Sequence, residues 1–362
     1  MKLVSFLLFL GCVATSATHA RPTYSLTGLG EGVAWAINES GQVAGWSQAG
    51  LTSAFLYTPG SGRMDLGKAE NSAYSLAYGL SNLGHVVGYS TFAGSGGERA
   101  FVYTPGLGRV EIPDSGTPRY ANRGWGVNDH GDAVGASFLY SAGGQLIDLA
   151  SLTGHSGFTA QDINNNGVMI GSGLRDLHAF VFTPGVGLTE VGSLGGNRST
   201  AWAVNDSGQV VGSAETDRFI DHAFLYSPSS GIVDIGASFG EGVVSQAYGV
   251  NESGAVVGRF SPTGSGLRAF VYTSEDGAMD LNGLVNLSSA DGWTLVSAQG
   301  ITSDGRIAGW GSHNGAISAF VLTPVSAIPE PHISFSIALG LAGVAGIRRW
   351  SRLTARRRSS SR

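Results

Sequence analysis

One phrase, Asn-x-x-Gly-x-Val-Val-Gly, recurs seven times along the chain with small variations, each copy followed by Ala-Phe-Val/Leu-Tyr-Thr-Pro-Gly or a close relative of it. The clearest copy runs Ala34-Trp35-Ala36-Ile37-Asn38-Glu39-Ser40-Gly41-Gln42-Val43-Ala44-Gly45, continues through Ala54-Phe55-Leu56-Tyr57-Thr58-Pro59-Gly60, and ends near Met64-Asp65-Leu66-Gly67. Self-similarity at this length means one structural unit copied about an axis or along a line. The glycines closing the first step are Gly41, Gly84, Gly131, Gly167, Gly208, Gly254 and Gly305, spaced by 43, 47, 36, 41, 46 and 51 residues. Rungs of a parallel β-helix are much shorter, and helical repeats need long 3.6-period runs that are absent here. Four short strands with their turns fill about 45 residues, the size of a propeller blade.

Within a copy, strand one is Ala-x-Ala/Gly-Ile/Val-Asn, as in Ala201-Trp202-Ala203-Val204-Asn205. Small residues on an innermost strand let neighbouring blades approach a narrow axis. Asn-x-x-Gly is a hairpin turn, in which Gly supplies positive φ and Asn bonds its own backbone. Strand two is x-Val-Val-Gly. Its terminal glycine (Gly45, Gly88, Gly135, Gly171, Gly212, Gly258, Gly309) reads as a close-packing or bulge site. Strand three is Ala-Phe-Val/Leu-Tyr, whose aromatic residues suit packing between blades. Strand four is the Asp-Leu/Ile-Gly piece, as in Ile232-Val233-Asp234-Ile235-Gly236. The seventh copy stops at Ala319-Phe320-Val321-Leu322-Thr323-Pro324 without a strand four, while Tyr24-Ser25-Leu26-Thr27-Gly28-Leu29-Gly30 looks like an orphan strand four. The expected fold is therefore all-β: a seven-bladed β-propeller over residues 21–326, closed by its N-terminal strand, which removes the exposed edge of an open stack. The third copy is compressed, with almost no loop in Gly135-Ala136-Ser137-Phe138-Leu139-Tyr140.

The repeat resembles a bacterial extracellular repeat family named for its His-Ala-Phe triplet, which stands literally at His178-Ala179-Phe180 and His222-Ala223-Phe224. Other copies read Ser53-Ala54-Phe55, Arg99-Ala100-Phe101, Arg268-Ala269-Phe270 and Ser318-Ala319-Phe320, and the third keeps only Ser137-Phe138. The resemblance covers nearly the whole body. It implies export and a surface role and names neither a ligand nor a reaction.

Both ends read as addresses rather than fold. Lys2, the apolar run Leu3 to Val13 and the small residues of Thr18-His19-Ala20 form a signal-peptide pattern over residues 1–20. The single cysteine, Cys12, lies inside it, so the mature chain is expected to carry no thiol. At the other end, residues 327–362 hold Pro329-Glu330-Pro331, an apolar stretch from Ile333, and a basic tail with Arg348, Arg349, Arg352, Arg356, Arg357 and Arg358. As a helix to Trp350, that stretch reaches about 27 Å, short for a transmembrane span. The arginines would hold the tail in the cytoplasm. This three-part ending resembles the PEP-CTERM sorting signal of exported bacterial proteins. The resemblance implies an exosortase-type processing partner, transient anchoring in the inner membrane, and a final place at the cell surface or outside it.

Between these ends the body carries 13 basic against 25 acidic side chains, net −12. Such a surface repels phosphate backbones, so nucleic acid is not an expected partner. Three residues before each Asn step stands an aromatic column of Trp35, Tyr78, Trp125, Trp202 and Tyr248, interrupted by Gln161 and Gln299. Such aromatics usually pack as inter-blade core. On an exposed circle they would form a stacking platform for sugar rings.

The other sites weighed give no sign of chemistry. Turns such as Asn128-Asp129-His130-Gly131 and Asn205-Asp206-Ser207-Gly208 lack the alternating acidic pattern of a calcium loop, and His178 and His222 lack a third ligand for zinc. No metal or cofactor is expected. There is no Gly-x-Ser-x-Gly elbow. Asp65, Asp148, Asp234 and Asp280 recur from copy to copy, whereas catalytic residues should break a repeat. No catalytic residue emerges. The reading from sequence is a non-catalytic scaffold, not an enzyme, binding exopolysaccharide or surface proteins. The alternative is a secreted propeller lyase or glycosidase acting on polysaccharide.

Overall fold

A computed structural model describes residues 22–48, 50, 52–92, 97–113, 122–155, 157–173, 178–285 and 292–325. The signal peptide expected at 1–20, the Pro329-Glu330-Pro331 motif, the apolar span and the arginine tail lie outside the described residues. Among the described residues no helix is long and apolar enough to cross a membrane.

The fifth copy shows how a repeat becomes a sheet. Strands Gly195–Val204, Val210–Thr216, Asp221–Ser227 and Gly231–Asp234 pair antiparallel in chain order. The Asn205 turn makes the first reversal, with Gly208 at φ 76° where an L side chain would be strained. Four other copies form equivalent four-stranded sheets. The compressed third copy has the shortest strands, among them Ala133–Gly135 and Phe138–Tyr140, joined by only Ala136 and Ser137.

The remaining strands form one seven-stranded sheet, and a single long strand explains why. Thr23–Ile37 pairs with the last strand, Ala316–Val325, through residues 23–31. It then pairs with Val43–Ser47 through residues 32–37. The handover falls at Gly30 and Gly32, both at positive φ. Either side of it stands a four-stranded antiparallel group.

The interior is divided. Seven hydrophobic clusters lie between consecutive four-stranded groups rather than in one common core. The Phe of the triplet is the recurrent knob in six copies, while Phe180 of the fourth is half-buried. Phe224 packs on Ile170, Ala179 and Val181 of the preceding copy, and Phe270 packs on Val211, Ala223 and Ile235. Phe55, Phe101, Phe138, Phe224, Phe270 and Phe320 are all completely buried. Removing one such ring typically costs about 3–5 kcal/mol.

Candidate functional site

The aromatic column owes its position to a defect repeated seven times. On the innermost strand of every copy the pairing register skips one residue. Ala34 faces Gly45 and Ala36 faces Ala44, leaving Trp35 as the extra residue of a β-bulge. The same skip leaves out Tyr78, Trp125, Gln161, Trp202, Tyr248 and Gln299. A bulge turns its extra side chain out of the strand's alternation. The recurrent glycine of strand two makes room for it. A Cβ on Gly45, Gly212 or Gly258 would lie 2.0, 1.9 or 2.0 Å from the carbonyl oxygen of Val33, Thr200 or Gln246.

All seven bulged side chains line one cavity of about 420 Å³, with Gln246, Arg259 and Trp310 completing its wall. The five aromatics are half-buried rather than sealed in inter-sheet core, a place that Phe55, Phe101, Phe138, Phe224, Phe270 and Phe320 occupy instead. Trp35, Tyr78 and Trp125 touch in series, with centroid separations of 5.2 and 4.7 Å, and Trp202 and Tyr248 pair at 6.0 Å. In chain order Gln161 follows the first series and Gln299 follows the pair. The indole N–H groups of Trp35, Trp202 and Trp310 are buried without a hydrogen-bond partner.

A second cavity, about 200 Å³, shares the seven bulged residues and reaches the next residue of six copies. That residue is small in six copies: Ala36, Gly79, Gly126, Ala203, Gly249 and Gly300. In the fourth copy it is Asp162. Its Oδ1 accepts the Ile163 N–H at 2.9 Å and its Oδ2 accepts the Val204 N–H at 3.1 Å. The side chain fits because Gly126 lies opposite, where a Cβ would come within 2.6 Å of Oδ1. Burial pushes the Asp162 carboxyl up to about 7, against the pull of both N–H donors and with help from the charge of Asp206. Sequence reading missed Asp162. Its signal was there, as the one carboxylate in an otherwise small-residue column.

A third cavity, about 190 Å³, is walled by the turns. Here the Asn side chains do more than bond their own hairpins. Asn205 Oδ1 accepts the Gln209 N–H at 2.8 Å while Nδ2 donates to Asn251 O, 2.9 Å away in the next copy. Asn38, Asn128, Asn164 and Asn251 reach across in the same way to Ser81, Asn164, Asn205 and Thr302 carbonyls. The following residue repeats the device outside it. Glu39 N–H donates to Asn82, Asn82 to Asp129, Asp129 to Asn165, Asn165 to Asp206 and Asp206 to Glu252. Ser303 N–H donates back to Glu39 at 3.0 Å.

The other sequence candidates lie away from these cavities. His178 pairs with Glu190, and His222 with Asp234 at 3.0 Å, each joining strands three and four of its own sheet. Arg268 and Asp280 make the same link at 2.7 Å. Asp65 accepts the Gly67 N–H, and Asp148 caps a short helix at Leu149–Thr153. Among the described residues no three His, Cys, Asp or Glu side chains are grouped to hold a metal ion.

No family model and no curated protein matches this sequence. Solved structures do. Virginiamycin B lyase from Staphylococcus aureus is similar over 83% of this chain and 100% of its own, at 12% identity and TM-score 0.53. A gluconolactonase from Xanthomonas campestris is similar over 85% and 96%, at 12% identity and TM-score 0.38. A puromycin hydrolase matches over 82% of this chain and 50% of its own, at 12% identity and TM-score 0.44. The likeness to the lyase is one of fold. It corrects the expectation that this chain is not an enzyme, since the architecture read as a bare scaffold is one that a lyase has. The sequence argument looked for catalytic motifs within a copy; the carboxylate that breaks the pattern, Asp162, stands in a cavity that the copies build together.

Proposed function

We propose that the body is a closed, seven-bladed β-propeller enzyme that binds polysaccharide in its aromatic cavity and moves a proton with Asp162. Closure is supported by the ladder between residues 23–31 and 318–325. It is also supported by the cluster joining Ala308, Ala319 and Val321 to Ala34, Val43 and Phe55, and by the Ser303–Glu39 bond that returns the turn chain to its start. On this reading the skipped ring residues encircle the axis. The half-buried indole and phenol faces suit the apolar faces of pyranose rings. Export through the signal peptide and sorting by a PEP-CTERM-type ending, with an exosortase as processing partner, remain part of the proposal on the sequence patterns at 1–20 and 327–362.

The carrying observation is Asp162. It alone supplies a carboxylate among the described walls of the first two cavities. Its carboxyl is held near 7, where a group exchanges protons effectively at neutral pH. Hydrolysis of glycosides ordinarily uses two facing carboxylates. A single one fits elimination, in which one group removes a carbon-bound proton, so the lyase form of the reading is favoured over the glycosidase form.

The test is depolymerisation of a polysaccharide panel by the purified protein, with Asp162→Asn beside it. Turnover should fall by about 10²–10⁴-fold in the variant while glycan binding persists. Undiminished turnover in Asp162→Asn, or no turnover of any glycan by the wild type, would overturn the reading.

A further inference from the structure

The mouth of the aromatic cavity is lopsided. The residue after the strand-two glycine is Trp46, Tyr89, Ala136, Ser172, Ser213 or Trp310 in six copies, and Arg259 in the other. Arg259 is the single cation in the described wall of that cavity. Its Nε and Nη2 both donate to Gln246 Oε1, at 3.0 and 2.7 Å. Tyr248 Oη donates to the same oxygen at 2.6 Å, and the guanidinium carbon lies 5.4 Å from the Tyr248 ring centroid. These contacts fix the guanidinium without neutralising it, since no described carboxylate forms an ion pair with Arg259.

Arg123 shows the contrast. It also stacks on aromatic residues, 4.9 Å from the Tyr89 ring and 5.8 Å from the Trp125 ring. Its charge is answered by Glu98 through two bonds of 2.6 Å. Arg259 has the same setting with the carboxylate missing. A fixed planar guanidinium with an open edge matches a planar carboxylate better than any neutral group.

The rest of the stack restricts where such an anion can sit. The third cavity carries Glu39, Asp129, Asp206 and Glu252, which disfavour a negative group at that end. The body's net charge of −12 disfavours a long polyanion spread over the outside. What remains favourable is one carboxylate at the Arg259 end, on a sugar whose ring lies against the aromatic wall.

We propose that Arg259, held by Gln246 and Tyr248, is a carboxylate subsite, and that the ligand is a short acidic oligosaccharide carrying a uronate unit. The inference rests on the polysaccharide-acting reading above and names its substrate class. Arg259 is a binding residue in this inference: it selects the substrate by its carboxylate and takes no part in moving a proton.

The experiment uses the full chain with trimers of galacturonate and of mannuronate and their methyl esters. Binding is followed by fluorescence of the cavity tryptophans, and turnover by the release of shorter oligosaccharides. At least one acid trimer should bind ten-fold or more tighter than its ester, with the difference shrinking as salt is raised. Arg259→Gln should bind acid and ester alike, and Arg259→Lys should fall between. If Arg259→Gln does not fold, the acid-to-ester ratio of the wild type and of Arg259→Lys decides. Equal binding of acids and esters by the wild type, or tighter binding of a neutral glucan trimer, would overturn the carboxylate subsite. Turnover of neutral glycans alone that is lost in Asp162→Asn would refute this inference and leave the broader reading standing.

Discussion

The turn end and the aromatic end of the cavity stack are made by the same seven copies, a few residues apart on the same strands, yet they tolerate change differently. At the turn end two copies replace Asn, by Ser81 and Thr302, and the structure barely registers it. Ser81 Oγ still accepts the His85 N–H at 3.2 Å, and Thr302 Oγ1 accepts the Arg306 N–H at 3.0 Å. What is lost is the amide's donation, to the next copy and, as in Asn38 and Asn205, to the Gln four residues on. At the aromatic end the departures change chemical kind. Gln161 and Gln299 stand for aromatics, Asp162 for a small residue, and Arg259 for Trp, Tyr, Ser or Ala. Positions where the copies agree carry packing. Positions where they disagree without losing the fold are where selection for something else is visible.

That division can be broken or sharpened by measurement. The largest effect should come from the agreed glycine behind the ring. Gly212→Ala forces a methyl to within 1.9 Å of the Thr200 carbonyl oxygen, and backbone must move to accommodate it. We expect a loss of about 3 kcal/mol in denaturant unfolding. An unchanged midpoint would show that the bulge does not depend on glycine.

Next is the Asn link. Asn205→Ala removes three hydrogen bonds and leaves the buried Asn251 carbonyl without that donor. A cost of about 2 kcal/mol is expected, against about 1 kcal/mol for Ser81→Ala, which loses only an acceptor. Equal costs would mean that the reach to the next copy carries no stability.

The last effect is the signature of Asp162 in pH. Folding raises its carboxyl to about 7, from about 4 in an unfolded chain. Its contribution to stability is therefore complete below about pH 4 and is lost as pH rises to about 7. The folded protein should therefore lose stability through this group between pH 4 and 8. Asp162→Asn should flatten that slope while lowering stability at pH 4, because the amide retains one acceptor for two N–H donors. A slope unchanged in the variant would place the titration elsewhere.

The repeat itself was legible, since strand boundaries follow from local alternation and turn glycines, and the phenylalanines of Ala-Phe announce their own burial. The orphan segment Tyr24 to Gly30 was legible as the missing partner of the last strand, because its residues resemble a strand four and nothing else near them does. The bulge was half legible. A glycine can signal one, but only the pairing register shows that Trp35 and its equivalents are the residues left over. Asn205 announced its own turn, but its bond to the following copy spans 46 residues and has no local trace. Asp162 was hidden for another reason. It looks ordinary in Gln161-Asp162-Ile163-Asn164 and becomes conspicuous only when the seven copies are stacked and its column proves to be alanine and glycine.

The shared strand Thr23–Ile37 has a consequence for how the molecule comes into being. Its leading half finds its partner almost 300 residues later, at the far end of the body. A chain emerging from the ribosome therefore releases one half of this strand early and must keep it unpaired until nearly everything else has been delivered. Contacts this remote in sequence are slow to form. The final step of assembly is then a capture of the beginning by the end, and any truncation short of residue 318 leaves a species with two open sheet edges exposed to other chains.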